Sequence, residues 1–151
     1  MLHCPAYRAM YAEFLKIDCP RIPWPGSPVE FWDVSEKGNI LRRLHLMETQ
    51  IIGETPFPFK GEGEAVVDKI RHDAGRVWIN ETQYFDHPPE VSWGFYIGGY
   101  QPAQKWLKDR KVRALSFEDV KQYQRILKVL SETDRVMNTI NMTLDASGNE
   151  E

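Results

Sequence analysis

The stretch Ile97-Gly98-Gly99-Tyr100-Gln101-Pro102-Ala103-Gln104-Lys105-Trp106-Leu107-Lys108-Asp109-Arg110 is where the chain turns from β-rich runs to helices. The paired glycines beside Tyr100 read as a tight turn, and Gln101 onward as a short basic helix carrying Trp106. Just before it, Trp93 to Ile97 reads as a strand. Just after it, Lys111-Val112-Arg113 leads to a new helix start at Ser116. Runs of both periods in one short chain predict an α+β fold: a small, mainly antiparallel sheet with N-terminal helices and a long C-terminal helix.

Toward the N-terminus, Pro5 precedes Ala6, Met10, Phe14 and Ile17, with Tyr7, Tyr11 and Leu15 beside them. That spacing predicts an amphipathic helix with proline in its first turn, ending before Pro20. Arg21-Ile22-Pro23-Trp24-Pro25 reads as an extended strap. Ser27-Pro28-Val29-Glu30 has the form of a capping box, opening a helix with Phe31, Val34, Leu41, Leu44 and Met47 on one face. Gly38 interrupts that face at a cost of about 1 kcal/mol in helix propensity.

Gly53 to Gly63 is a loop by composition. Val66 to His72 and Arg76 to Asn80 are β-rich, and the connection Asp73-Ala74-Gly75 predicts a bulged hairpin. Gln83-Tyr84-Phe85 extends its second strand, and Asp86-His87-Pro88-Pro89 ends it. At the C-terminal end Ser116 caps a helix whose first turn holds Glu118 and Asp119, the charges suited to the positive dipole end. Val120, Tyr123, Leu127, Leu130 and Met137 continue at helical spacing to about Ile140. Residues 1–144 are thus read as one domain and 145–151 as a disordered acidic tail.

A chain of 151 residues with 42% hydrophobic and 12% aromatic content has ample material for a core. Its net charge of −3 argues against a general nucleic-acid coat protein. The charge is uneven, however: Lys105, Lys108, Arg110, Lys111 and Arg113 crowd one window, opposed only by Asp109. Cys4 and Cys19 share no metal-ligand spacing and read as reduced thiols. No apolar run approaches the roughly 20 residues of a membrane span and the N-terminus lacks a signal-peptide pattern, so the expectation is a cytoplasmic protein with no membrane partner.

Several segments together resemble the C-terminal specificity domain of type ISP restriction-modification enzymes and related DNA adenine-N6 methyltransferases. Leu2-His3 with Pro5-Ala6-Tyr7 and Tyr11 to Asp18 is similar to that family's opening helix, and Pro20-Arg21-Ile22-Pro23 to its strap. Leu41 to Glu48 is similar to the helix that follows, and Gly75 to Asn80 with Thr82 to Phe85 to the central strand pair. Leu115 to Val120 with Leu130 to Thr133 is similar to the closing helix. The resemblance implies a DNA target-recognition domain whose partners are double-stranded DNA and a methyltransferase domain or subunit. Members of the family normally carry the methyltransferase before this segment, so the resemblance leads to the expectation of a fragment, a truncated gene product or an expressed domain. It has no Asn-Pro-Pro-Tyr-type motif, no glycine-rich strand-to-helix turn for S-adenosylmethionine and no Walker motif. The expectation is therefore no enzyme activity on its own and no cofactor in this chain, S-adenosylmethionine belonging to the missing catalytic domain.

The candidate DNA-binding residues are Lys105, Lys108, Arg110, Lys111 and Arg113 for phosphates, and Gln101, Gln83 and Asn80 as amides of the kind that read adenine. The cations equally suit a solvated helix face, and each amide equally suits turn backbone. Gly98-Gly99 either approaches a phosphate or only makes a turn, and Trp78, Trp93 and Trp106 read as core. Glu62, Glu64, Asp68 and Lys69 lack the order of a nuclease cluster, and His3, His45, His72 and His87 lack paired metal spacing, so no catalytic or metal residue is assigned. The rival function is an interaction module, its C-terminal helix docking a methyltransferase or a second copy.

Overall fold

The structure is a computed structural model that describes residues 1–20 and 22–144; Arg21 of the strap and the acidic tail 145–151 lie outside the described residues. The chain falls into two units, one built from Met1–Arg43 and the segment from Arg135 on, the other from Leu44–Asp134.

In the first unit, helix α1 is Pro5–Met10, with proline in its first turn as expected. It is shorter than the periodicity suggests, and a 3-10 turn at Phe14–Lys16 follows it. The inward side carries buried Tyr7, whose ring meets Tyr11 at 4.9 Å, whereas Met10 and Ile17 are exposed. A helix of this length is held by packing rather than propensity, so it stops where its apolar side ceases to be covered. Cys4 is buried with its Sγ 3.5 Å from the Ile140 carbonyl, and Cys19 is exposed.

Helix α2, Pro28–His45, starts as the capping-box reading requires. The Ser27 hydroxyl accepts from the Glu30 amide at 3.2 Å, and the Glu30 carboxylate accepts from the amides of Gly26 and Thr143. The helix runs unbroken through Gly38, where an added Cβ would meet nothing within 4 Å. Gly38→Ala is therefore expected to raise unfolding stability by about 1 kcal/mol, read as a higher urea midpoint at unchanged slope. A lower midpoint would mean that the helix needs the glycine.

In the second unit, α3 (Thr49–Ile52) precedes four strands: β1 Phe59–Lys60, β2 Arg71–Asp73, β3 Arg76–Trp78 and β4 Tyr84–Asp86. Their order is β1-β4-β3-β2, with every neighbouring pair antiparallel. The hairpin differs from the three-residue expectation. Asp73 pairs with Arg76, leaving Ala74-Gly75 as a two-residue turn with φ of 48° and 70°. Positive φ at both positions matches the strand twist, so the turn closes without a bulge. Gln83 to Phe85 does not extend β3, because the chain reverses at Asn80 and returns as the separate strand β4. Val66 to Ile70 is also largely outside the sheet. Val67 is buried and exchanges backbone bonds with Val112 and Arg113 at 2.8 and 2.9 Å.

The expected strand Trp93–Ile97 is instead entered by helix α4, Glu90–Gly94, with Pro89 as its N-cap and Glu90 in its first turn. Ser92, fully buried on α4, donates to the Leu127 carbonyl at 2.6 Å. Helix α5 is Pro102–Lys108 and α6 is Phe117–Met137. Ser116 caps α6 reciprocally: its hydroxyl accepts from the Asp119 amide at 3.1 Å, and Asp119 accepts from the Ser116 amide at 3.1 Å. Val77, Ile79 and Phe85 from the sheet region pack with Ala103 and Leu107 of α5 and Tyr123, Leu127 and Leu130 of α6 to form the core. No helix among the described residues is long and apolar enough to cross a membrane.

Candidate nucleic-acid interface

The junction from α5 to α6 is a pinned basic loop. Ile97 and Tyr100 bond each other across Gly98-Gly99, with Gly98 at φ 59°, so the glycine pair makes the tight turn that launches α5. After α5 the loop is tied down by backbone bonds from Val112 to Val67 and from Leu115 to Ala65 at 2.8 and 2.9 Å. Its five cations are not equivalent. Lys105 pairs with Asp109 at 2.7 Å. The Arg110 guanidinium lies 3.5 Å from the Trp106 ring centroid, donates to the Trp106 carbonyl and reaches Asp119 at 3.4 Å. Arg110 thus works as a clamp between the end of α5 and the start of α6. Lys108, Lys111 and Arg113 are exposed and form no ion pair among the described residues.

The candidate amides sit elsewhere in the unit. The Asn80 Oδ1 accepts from the amides of Thr82 and Gln83 at 3.0 and 2.7 Å, and its Nδ2 donates to the Val66 carbonyl at 2.9 Å. Gln83 is buried; its Oε1 accepts from the Ala65 amide at 2.7 Å and its Nε2 reaches the Gly63 carbonyl. Both side chains thus bind the chain's own backbone. Gln101 is the N-cap residue of α5, with its Nε2 3.5 Å from the Gly94 carbonyl. The structure brings the loop cations together and does not bring Asn80 and Gln83 to them as exposed groups. Of the histidines, His45 meets the Thr133 hydroxyl at 3.2 Å, His72 stacks on Trp93, and His87 lies beside Asp86. Glu62, Glu64, Asp68 and Lys69 are exposed.

A second group escaped the sequence reading. The register aligns Lys60, Tyr84, Trp78 and Arg71 on one rung across all four strands, facing away from Val77 and Phe85. Arg71 lies 4.5 Å from the Trp78 ring centroid, and Arg76 lies 4.5 Å from that of Tyr84. The alternation Arg76-Val77-Trp78 and Tyr84-Phe85-Asp86 was the available signal, but only strand pairing turns it into a row.

Acid sensitivity follows from the carboxylates. Asp86, almost fully buried, takes Lys60 at 2.7 Å and Arg76 at 3.3 Å. The Lys60 hydrogen bond chiefly holds its carboxyl below the ordinary 3.8. The Ser116 amide does the same for Asp119, and the Thr143 amide for Glu30. Because these folded-state values are depressed, the stabilisation is complete above the ordinary carboxylate range and lost as pH falls through it. The melting temperature is expected to hold between about pH 7 and 5 and to drop below about pH 4. Asp86→Asn should shrink that drop; an identical acid profile would remove Asp86 from the account.

A family model for the Type ISP C-terminal specificity domain matches residues 1–139. Comparison with curated proteins finds no match. Among solved structures, the chain is similar to part of a DrdV–DNA complex, with TM-score 0.72 and 21% identity over 95% of this chain and 17% of that one. It is similar to a nuclease-deletion mutant of the Type ISP restriction-modification enzyme LlaGI in complex with a DNA substrate mimic, with TM-score 0.64 and 22% identity over 92% of this chain and 12% of that one. It is similar also to the ATP-dependent Type ISP restriction-modification enzyme LlaBIII bound to DNA, with TM-score 0.64 and 19% identity over 91% and 10%. The chain therefore spans between 10% and 17% of the length of these proteins. With the α+β fold and the family match in agreement, the chain belongs to the Type ISP C-terminal specificity domain family.

Proposed function

We propose that this chain binds duplex DNA and selects the site at which a linked methyltransferase modifies adenine, as the target-recognition module of a cytoplasmic restriction-modification enzyme. It performs no chemistry alone, and S-adenosylmethionine belongs to the methyltransferase domain. The observation that carries the reading is the pinned loop with Lys108, Lys111 and Arg113 exposed and without carboxylate partners among the described residues. Such cations supply affinity through phosphates without sequence information. The family match and the DNA named in the similar structures support the same reading. Lys105 and Arg110 are neutralised internally and serve the loop's shape, while Asn80 and Gln83 hold the turn. Gln101 is the remaining candidate for a base contact. The docking alternative has less support, because Tyr123, Leu127 and Leu130 of α6 already lie in this chain's own core.

Isolated affinity is expected to be about micromolar or weaker, given the net charge of −3. Three phosphate contacts at roughly −0.9 each give a slope of log affinity on log salt near about −2.7. The triple change Lys108→Gln, Lys111→Gln and Arg113→Gln should weaken binding to every duplex and flatten that slope. Fluorescence anisotropy on several duplexes at three salt concentrations makes the comparison. Equal binding by wild type and triple variant would sink the loop as the phosphate contact.

A further inference from the structure

We propose that Arg71 reads a guanine edge of the duplex from the outer face of the sheet; this rests on the reading of the chain as a duplex-binding module. In the order β1-β4-β3-β2, β2 is an edge strand, joined to β3 by the Ala74-Gly75 turn, while β3 is paired on its other side with β4. The edge position leaves β2 open to approach from solvent. Arg71 and Asp73 occupy the outward positions of β2, while His72 between them faces inward with Val77.

The charge on this face is sorted by partner. Lys60 and Arg76 both bind the Asp86 carboxylate, at 2.7 and 3.3 Å. Arg71 is exposed and forms no ion pair among the described residues. Its guanidinium is nonetheless held in place, stacked 4.5 Å from the Trp78 ring centroid, and Trp78 in turn lies 4.5 Å from Tyr84. The Trp78 Nε1 is buried and has no hydrogen-bond partner among the described residues, so the ring is seated for its face rather than for its polar edge. A stacked guanidinium keeps its plane and its paired N–H donors oriented, which is the geometry that matches guanine O6 and N7 bidentately. Asp73, exposed two residues along the same face, repels a phosphate but accepts from the amino group of cytosine. That neighbour favours a base edge over the backbone as Arg71's target.

The test selects binding sites for the full chain from a randomised duplex library, comparing wild type with Arg71→Lys and Arg71→Ala. Melting curves check that the variants remain folded, as this exposed position predicts. The expected result is a guanine preference in wild type at one position that falls roughly tenfold or more in both variants. The salt slope and the affinity for unselected duplex should stay within about twofold, because base contacts carry specificity rather than counterion release. Rescue by Arg71→Lys together with a slope smaller by about 0.9 in Arg71→Ala would assign Arg71 to a phosphate and overturn the proposal. Duplex binding by wild type with no guanine preference, or with the same preference in all three proteins, overturns it while leaving the DNA-binding reading intact. Absence of any duplex binding by wild type overturns both.

Discussion

Gly61→Ala is expected to destabilise the protein by about 2–6 kcal/mol, combining backbone strain with a forced overlap. Gly61 has φ 101°, outside the range of L side chains, and an added Cβ would stand 2.1 Å from the Thr82 carbonyl oxygen and 2.9 Å from the Gln83 Cα. Both obstacles are backbone, so no rotamer change relieves them. The displaced turn also carries the Gln83 amide bond to Ala65 and the Thr82 hydroxyl bond to the Glu62 carbonyl at 2.8 Å. Gly53→Ala is the control, since Gly53 has φ 66° and ψ −145° and nothing within 4 Å of a Cβ; it should cost only the backbone strain of about 1–3 kcal/mol. Urea denaturation of the two variants separates the effects. A shift for Gly61→Ala no larger than for Gly53→Ala would mean that the loop yields easily.

Leu127→Ala should cost about 2–5 kcal/mol. Leu127 is fully buried in the cluster formed with Phe85, Leu107 and Tyr123, and its carbonyl receives the Ser92 hydroxyl. Removing the side chain leaves a hole between α6 and the sheet-side residues that a turn of helix tied to α4 cannot easily close. Thermal melting and urea midpoints should both register the loss. An effect below about 1 kcal/mol would show that the core relaxes around the site, contrary to the packing described.

The contrast between these residues explains what a linear reading reaches. Leu127 was legible because a long helix repeats its apolar face over many turns, and Ser116 with Asp119 announced where that helix starts. Gly61 read only as loop composition, since its role depends on Thr82 and Gln83 lying above it, a tertiary fact. Trp93 to Ile97 reads as a strand because aromatics favour sheets, yet Pro89 and Glu90 start a helix three residues before Trp93, and Trp93 and Phe95 pack on the core from there. The opening helix was overextended for the opposite reason: its apolar spacing is real, but Met10 and Ile17 find no cover. For the site, clustering of the five cations was visible in the sequence, whereas their division into clamped and available groups required the positions of Asp109 and Asp119. The Asn80 bonds to the Thr82 and Gln83 amides are a local turn pattern, whereas its bond to Val66 and the Gln83 bond to Ala65 depend on those residues coming alongside, which no local pattern encodes.

The pleat of the four-stranded sheet has a consequence for how such a module changes over generations. One rung, Phe59, Phe85, Val77 and His72, faces inward; the next, Lys60, Tyr84, Trp78 and Arg71, faces out. Substitutions on the outer rung therefore leave the volume of the inner one untouched. Selection can explore new outward side chains without repacking the inner rung, and lineages sharing this fold can diverge in what they touch far faster than in how they fold.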